Sequence, residues 1–267
     1  MPNFTIGDEV FFQAAKEFDT PFFLYDENGI KKATRALQSA FDWNPGYRQY
    51  FAVKALPNPS ILKILLEEGC GLDCSSESEL IIAQRLGVSG DRLMFSANAM
   101  PPHELAMARR MGAIINLDDI TDIATLMDNG GIPETICLRY NPGGLFGDGN
   151  TIMGSPKDSK FGWTRDQLSL GLERLKTLGV KQFGLHAFLA SNMLGEVYYP
   201  LLAKLLFETG KELTKETGLP LSFVNLSGGI GIPYKPEDKP SDIELIGKRV
   251  EEDCYISFKD VPHQSIA

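Results

Sequence analysis

The sequence predicts an α/β fold, a (β/α)8 TIM-type barrel incomplete at its eighth strand, on three observations. From Tyr50 onward, short runs rich in β-branched, aromatic and leucine residues alternate with amphipathic stretches of helical length, the pattern of parallel βα units. Glycines follow several of the helical stretches, at Gly69, Gly87, Gly112 and Gly179, where a chain leaving a helix turns left-handed. Distinctive polar and charged residues then fall at the strand ends, where a barrel carries its chemistry. A doubly wound sheet shows the same alternation. Seven strands with interleaved helices favour the barrel, and the pattern alone does not settle the choice.

In order along the chain, residues 21–26 (Pro-Phe-Phe-Leu-Tyr-Asp) read as a strand ahead of the barrel, with no evident pairing partner, followed by a helix at 30–41. Residues 50–54 hold the strand formers Tyr50, Phe51 and Val53, and Leu56-Pro57-Asn58-Pro59-Ser60 stops them before helical spacing resumes at 61–68. The next units pair strands 71–74, 93–96 and 113–116 with helices 78–86, 103–111 and 120–127. Pro101-Pro102 marks the second of these helix starts, because proline is tolerated in a first helical turn. Strand 135–140 leads to helix 165–178, strand 183–189 to helix 197–217, and strand 223–226 to a loop at 228–240 and a helix at 242–253. No clear eighth strand follows; Tyr255-Ile256-Ser257-Phe258 could serve as a makeshift one, but it is short and followed by a polar tail with Pro262. The chain divides into an N-terminal strand and helix packed on the barrel (1–45), the barrel (46–253) and a short divergent tail (254–267).

Composition narrows the function. Lys and Arg number 26 against 35 Asp and Glu, a net charge of -9, which argues against nucleic acid or an anionic membrane as the partner and for a small molecule. Residues 1–10 carry acids and no apolar core, and no apolar run is long enough to span a bilayer, so a cytoplasmic location is expected. Cys70, Cys74, Cys137 and Cys254 have neither CxxC spacing nor a companion histidine pattern, so neither a metal site nor a disulfide framework is expected.

Lys54 is the first candidate for chemistry. Phe51-Ala52-Val53-Lys54-Ala55 delivers an amine to the C-terminal edge of a strand, and an apolar setting there would lower its proton affinity so that the neutral amine attacks a carbonyl. A lysine at a strand end is more often simply solvated, so the reading needs company. Asp73 and Ser76 close the second strand, Arg139 the fifth, residues 186–192 the sixth, and Ser227-Gly228-Gly229-Ile230-Gly231 follows the seventh. Unobstructed backbone N–H groups in such a loop can wrap an anion where barrels commonly take phosphate. The competing reading is a tight turn that needs positive φ.

Five segments carry a resemblance: Phe51 to Ala55; Asp73-Cys74-Ser75-Ser76-Glu77-Ser78-Glu79-Leu80; Ser159-Lys160-Phe161-Gly162; Gly184-Leu185-His186 with Ser191-Asn192; and Ser227 to Tyr234. In that order the chain resembles the pyridoxal-phosphate decarboxylases of the alanine-racemase fold (fold-type III), in their diaminopimelate decarboxylase branch. The resemblance implies that Lys54 forms a Schiff base with pyridoxal 5'-phosphate and that Ser191, Gly228 and Gly229 contact its phosphate. It places Asp73 and Arg139 beside the cofactor, where the acid and the guanidinium could pair. The family's ring-stacking histidine stands three residues before Ser191, where this chain has Phe188, and His186 lies two positions earlier on the same strand. Phenylalanine can stack but cannot donate a hydrogen bond.

The implied activity is conversion of meso-diaminopimelate to lysine and carbon dioxide by a homodimer acting on a small amino-acid substrate. The family's Glu-x-Gly-Arg element and C-terminal β-domain have no counterpart in 254–267. The resemblance therefore implies a C-terminally truncated barrel that decarboxylates slowly, lacking a partner for the ring nitrogen. Alternatives are a non-enzymatic pyridoxal-phosphate-binding barrel, a defective gene product, and a decarboxylase for ornithine, arginine or carboxynorspermidine.

Overall fold

Eight parallel strands follow one another around a single sheet in chain order: β1 (Tyr50–Ala52), β2 (Gly71–Cys74), β3 (Leu93–Ser96), β4 (Ile114–Leu117), β5 (Thr135–Arg139), β6 (Gln182–His186), β7 (Leu221–Asn225) and β8 (Ser265–Ile266). The structure, a computed structural model, describes residues 6–145, 160–258 and 265–266. The sheet curls on itself, since Asn225 on β7 reaches Met94 on β3 and Asn116 on β4 reaches His186 on β6. Among the described residues no pairing joins β8 to β1, so the barrel is incomplete at its eighth strand.

Helices α1 (Asp8–Glu17) and α2 (Glu27–Ala40) precede β1, and α3 (Pro59–Glu67), α4 (Glu77–Arg85), α5 (Pro102–Arg110), α6 (Asp122–Asn129), α7 (Arg165–Thr177), α8 (Tyr198–Thr217) and α9 (Ile243–Phe258) return the chain between strands. Local chemistry starts them where the sequence suggests. The Asn58 side chain accepts from the Ser60 N–H with Pro59 in the first turn, Ser76 accepts from the Glu79 N–H, and Thr164 and Gln167 form a reciprocal capping box. None of the described helices is long and apolar enough to cross a membrane.

Period-two alternation sorts the strand residues. Leu72, Leu93, Phe95, Ile115, Leu117, Ile136, Leu138, Phe183, Leu185 and Val224 join the main core against the helices. The other face fills the barrel in two layers. Met94, Cys137 and Phe223, with Tyr50 and Ile114, form a separate apolar cluster. Two residues further along the strands stand Asp73, Ser96, Asn116, Arg139, His186 and Asn225.

Three expectations change. Residues 21–26 form no strand: Phe23 is 87% exposed, and no described strand lies alongside to satisfy its backbone. Residues 255–258 are the last turn of α9 rather than a strand, held there by Phe258 edge-on to Phe207 and by Lys211 donating to the Ser257 carbonyl at 3.0 Å. The eighth strand comes instead from Ser265–Ile266, paired with Phe223 and Val224. Helix α1, unforeseen in the sequence, buries none of its residues.

Candidate cofactor site at the barrel mouth

Lys54 does not extend β1. The strand ends at Ala52, and residues 53–55 close a 3-10 turn, with Leu56 N–H donating to the Val53 carbonyl at 3.1 Å. Val53 is fully buried and pins the turn, which leaves Lys54 exposed rather than in the apolar setting expected for it. Its charge still acts on two groups of the upper layer, Asp73 and His186.

Asp73 points inward from β2. Burial pushes its carboxyl up to about 7, tempered by the Ser96 hydroxyl and the Lys54 charge, while Glu79 pushes the same way as burial. Its Oδ1 is buried without a hydrogen-bond partner. The serines and glutamate that follow have a local purpose. Glu79 accepts from Ser75 N–H at 2.9 Å and from the Ser75 and Ser76 hydroxyls at 3.2 Å, fixing the turn from β2 into α4.

The expected pairing of Asp73 with Arg139 does not form. Arg139 donates from Nη1 to Asp118 Oδ1 and to Asn98 Oδ1, both at 2.6 Å, with Phe161 stacked 5.4 Å from the guanidinium carbon. Strand order explains the exchange: Asp118 follows β4, which adjoins β5, whereas Asp73 stands three strands away. Both members of the new pair are buried, in a setting where a lone charge would be costly. The Lys160-Phe161-Gly162 part of its motif is laced to the same strand end. Trp163 N–H donates to the Arg139 carbonyl at 2.7 Å, and a Cβ on Gly162 (φ 88°) would stand 3.1 Å from that carbonyl. Ser159 lies outside the described residues.

His186 is buried at the end of β6, its Nδ1 2.8 Å from Asn116 Nδ2. Burial first, then the Arg139 and Lys54 charges, push its imidazole down to about 3, so it is neutral near pH 7. Phe188 and Ser191 follow the strand, both partly exposed.

The glycine loop after β7 is tied to the loop after β6. Met193 N–H donates to the Gly229 carbonyl at 2.8 Å and Gly231 N–H to the Met193 carbonyl at 2.7 Å. Gly229 has φ 93°, and a Cβ there would meet the Ala190 carbonyl oxygen at 2.9 Å; one on Gly231 would meet Asn192 at 2.9 Å. Both are glycine because a neighbouring backbone passes. Gly228 is exposed, with nothing within 4 Å of the position of a Cβ. Tyr199 Oη donates to the Gly228 carbonyl at 3.3 Å and Ser227 N–H to Asn225 Oδ1 at 2.7 Å, which hold the loop open around that point.

The structure thus gathers Lys54, Asp73 and His186 within electrostatic reach at the C-terminal strand ends and sets Ser191 beside Gly229. Sequence reasoning missed Ser96, Asn98, Asn116, Asp118 and Asn225. Ser96, Asn116 and Asn225 were findable by counting: each occupies the inward position level with its neighbour once the parallel register is known. Asp118 and Asn98 lie just past strand ends and carried no comparable signal. Three buried polar atoms lack a partner in this region, Asp73 Oδ1, Asn116 Oδ1 and Ser227 Oγ, and the Ser96 hydroxyl meets only the Asp73 carboxyl, short of full hydrogen-bond geometry. Buried polar groups are otherwise almost always paired, so this concentration marks a place that receives a polar ligand or water. An exposed amine beside a buried acid, and an open glycine loop for an anion, suit a phosphorylated aldehyde.

Comparison with known proteins agrees. Residues 27–267 match the family model of the pyridoxal-dependent decarboxylases, over their pyridoxal-binding domain. The chain is 36% identical over 226 residues to the TabA protein of Pseudomonas amygdali pv. tabaci, covering 85% of this chain and 53% of that one. It is 30% identical over 249 residues to diaminopimelate decarboxylase of Methanothermobacter thermautotrophicus, covering 92% and 58%. In fold it follows the crystal structure of Helicobacter pylori diaminopimelate decarboxylase complexed with L-lysine (TM-score 0.84, 23% identity, 97% of this chain and 65% of that one). The chain therefore spans little more than half the length of these curated relatives. From barrel, mouth and family match together, it belongs to the pyridoxal-dependent decarboxylases, of which it carries the pyridoxal-binding barrel domain.

Proposed function

We propose that this barrel binds pyridoxal 5'-phosphate at Lys54 and serves an amino-acid decarboxylase whose substrate is meso-diaminopimelate. The observation that carries the reading is the set of unpaired polar atoms at the strand ends beside an exposed lysine and an open glycine loop. When bound, the cofactor supplies an electron sink for the electrons left by departing carbon dioxide. The chain's own residues do the rest. The Lys54 amine holds the aldehyde. The backbone around Gly228 and Gly229, with Ser191, takes the phosphate, as oriented N–H groups do for anions. Asp73, raised by burial to about 7 and within electrostatic reach of Lys54, offers a carboxyl that can hold a proton near neutrality. Arg139, fixed by Asp118 and Asn98, keeps a positive charge at the mouth. Phe188 offers an apolar face on which a ring can lie. A homodimer in the cytoplasm belongs to the proposal.

The similarity to TabA, higher than that to the diaminopimelate enzyme, favours a second reading in which the substrate is another amino acid. One experiment separates the parts. Purified protein is mixed with pyridoxal phosphate, reduced with borohydride and digested, and the labelled peptide is identified by mass. Label on Lys54 is expected, and its absence or its placement elsewhere overturns the cofactor assignment. Carbon dioxide release from diaminopimelate, ornithine and arginine in parallel then decides the substrate.

A further inference from the structure

His186 is held in more detail than a packing residue requires. It lies between Arg139 on β5 and Asn225 on β7, and Asn116 grips its Nδ1 from β4 across the barrel. The cations acting on it are Arg139 and Lys54; the acids of the region are Asp118, engaged by Arg139, and Asp73 on β2. A neutral imidazole carries one proton, and its neighbours decide on which nitrogen. With Asn116 Nδ2 donating to Nδ1, that proton sits on Nε2. Reversing the amide would bury its two-proton end without an acceptor in a layer that already feels two positive charges. The present orientation gives one of those two N–H groups an acceptor and leaves Oδ1, the negative end of the amide, unmet in that positive field. Nε2 makes no hydrogen bond among the described residues and is not one of the enclosed orphan atoms. Phe188, two residues further on, has no donor to offer.

We propose that Asn116 is a positioning residue that fixes the His186 proton on Nε2, keeping in the polar layer a neutral hydrogen-bond donor that Phe188 cannot supply. The inference rests on the cofactor reading only for what this donor faces; the tautomer itself is a property of the free protein.

The test uses the cofactor-free chain, uniformly labelled with nitrogen-15. Substituting His103→Gln and His263→Gln leaves His186 as the only histidine, since the chain has three. Its ring-nitrogen resonances are recorded from pH 5 to 8. An unprotonated Nδ1, a protonated Nε2 and a nitrogen–nitrogen coupling across the bond to the Asn116 amide support the proposal. A proton on Nδ1, a mixture of tautomers or an imidazolium at pH 7 overturns it. Asn116→Asp, which can only accept, should move the proton to Nδ1, and an unchanged tautomer there removes Asn116 from the account. Where that variant does not fold, the coupling in the Asn116 protein decides the same point, and its absence counts against the proposal. Failure of Lys54 to take the cofactor leaves these readings intact, so the two proposals fail separately.

Discussion

The two layers inside the barrel differ by only two residues along the same strands, yet they obey opposite rules. The lower layer, Tyr50, Met94, Ile114, Cys137 and Phe223, is closely packed: a Cβ on Gly184 would stand 2.3 Å from the Phe223 ring and one on Gly71 2.7 Å from Tyr50. Large and small side chains interlock there with no space to spare. The upper layer, Asp73, Ser96, Asn116, Arg139, His186 and Asn225, leaves buried polar atoms unpaired on Asp73 and Asn116 and gives the Ser96 hydroxyl only the Asp73 carboxyl, short of full hydrogen-bond geometry. The lower layer holds the strands in place; the upper layer keeps unmet polar capacity at an energetic cost. Period two lets one strand do both, because the inward positions come in successive rungs.

That division can be broken from either side. The largest expected effect is at the mouth: Lys54→Ala should abolish borohydride-stable attachment of pyridoxal phosphate while the circular dichroism and urea midpoint stay unchanged, since Lys54 is exposed. A variant that unfolds instead would make Lys54 a structural residue. From below, Phe223→Ala should cost about 3–5 kcal/mol by urea titration, the range for emptying an aromatic site, while the folded fraction still takes cofactor at Lys54. A cost under about 1 kcal/mol would mean the lower layer is not the support described.

The pH dependence sharpens the contrast within the upper layer. Asp73, raised from 3.8 to about 7, keeps its proton in the folded chain while the unfolded chain loses it. Its contribution to stability therefore falls as pH rises through that interval. His186, lowered from 6.5 to about 3, stays neutral when folded and protonates when unfolded, so its contribution rises with pH over its own interval. The two slopes, each at most about 1.4 kcal/mol per pH unit, oppose one another between about pH 4 and 6.5. Asp73→Asn should expose a stability that climbs toward pH 6.5, and His186→Gln one that declines toward pH 7. Parallel profiles for the two variants would refute the assignment of charge states. The smallest effect separates neighbouring glycines. Gly228→Ala should change stability by less than about 0.5 kcal/mol and weaken only binding of the phosphorylated cofactor, whereas Gly229→Ala, at φ 93° against the Ala190 carbonyl, should lower the unfolding midpoint measurably.

Much of this was legible in the residues. β2 and β3 lie where the strand formers end at turn signals, and β4 is displaced by one residue because Ala113 serves the preceding turn. β1 stops two residues early, as the chain begins to coil ahead of Pro57 and Pro59. The segment at 21–26 has strand composition without a described neighbour, and composition cannot supply one. At the site, Lys54 and the glycine loop stood out because few other residues suit their positions. Arg139 was found but its partner was misassigned, since which carboxylate lies next to it depends on strand order, a long-range property. Asn116 could be placed by counting along the register, but its role could not be read for the same reason: its meaning lies in His186, 70 residues away.

The lacing of the two rim loops bears on descent. Because Gly229 and Gly231 are shaped by the backbone at 190–193, and Met193 exchanges hydrogen bonds with both sides of Ile230, neither loop can be remodelled alone. A lineage altering what this rim grips must change both segments together or not at all, so the pair should be inherited as one unit even where the strands beneath them drift.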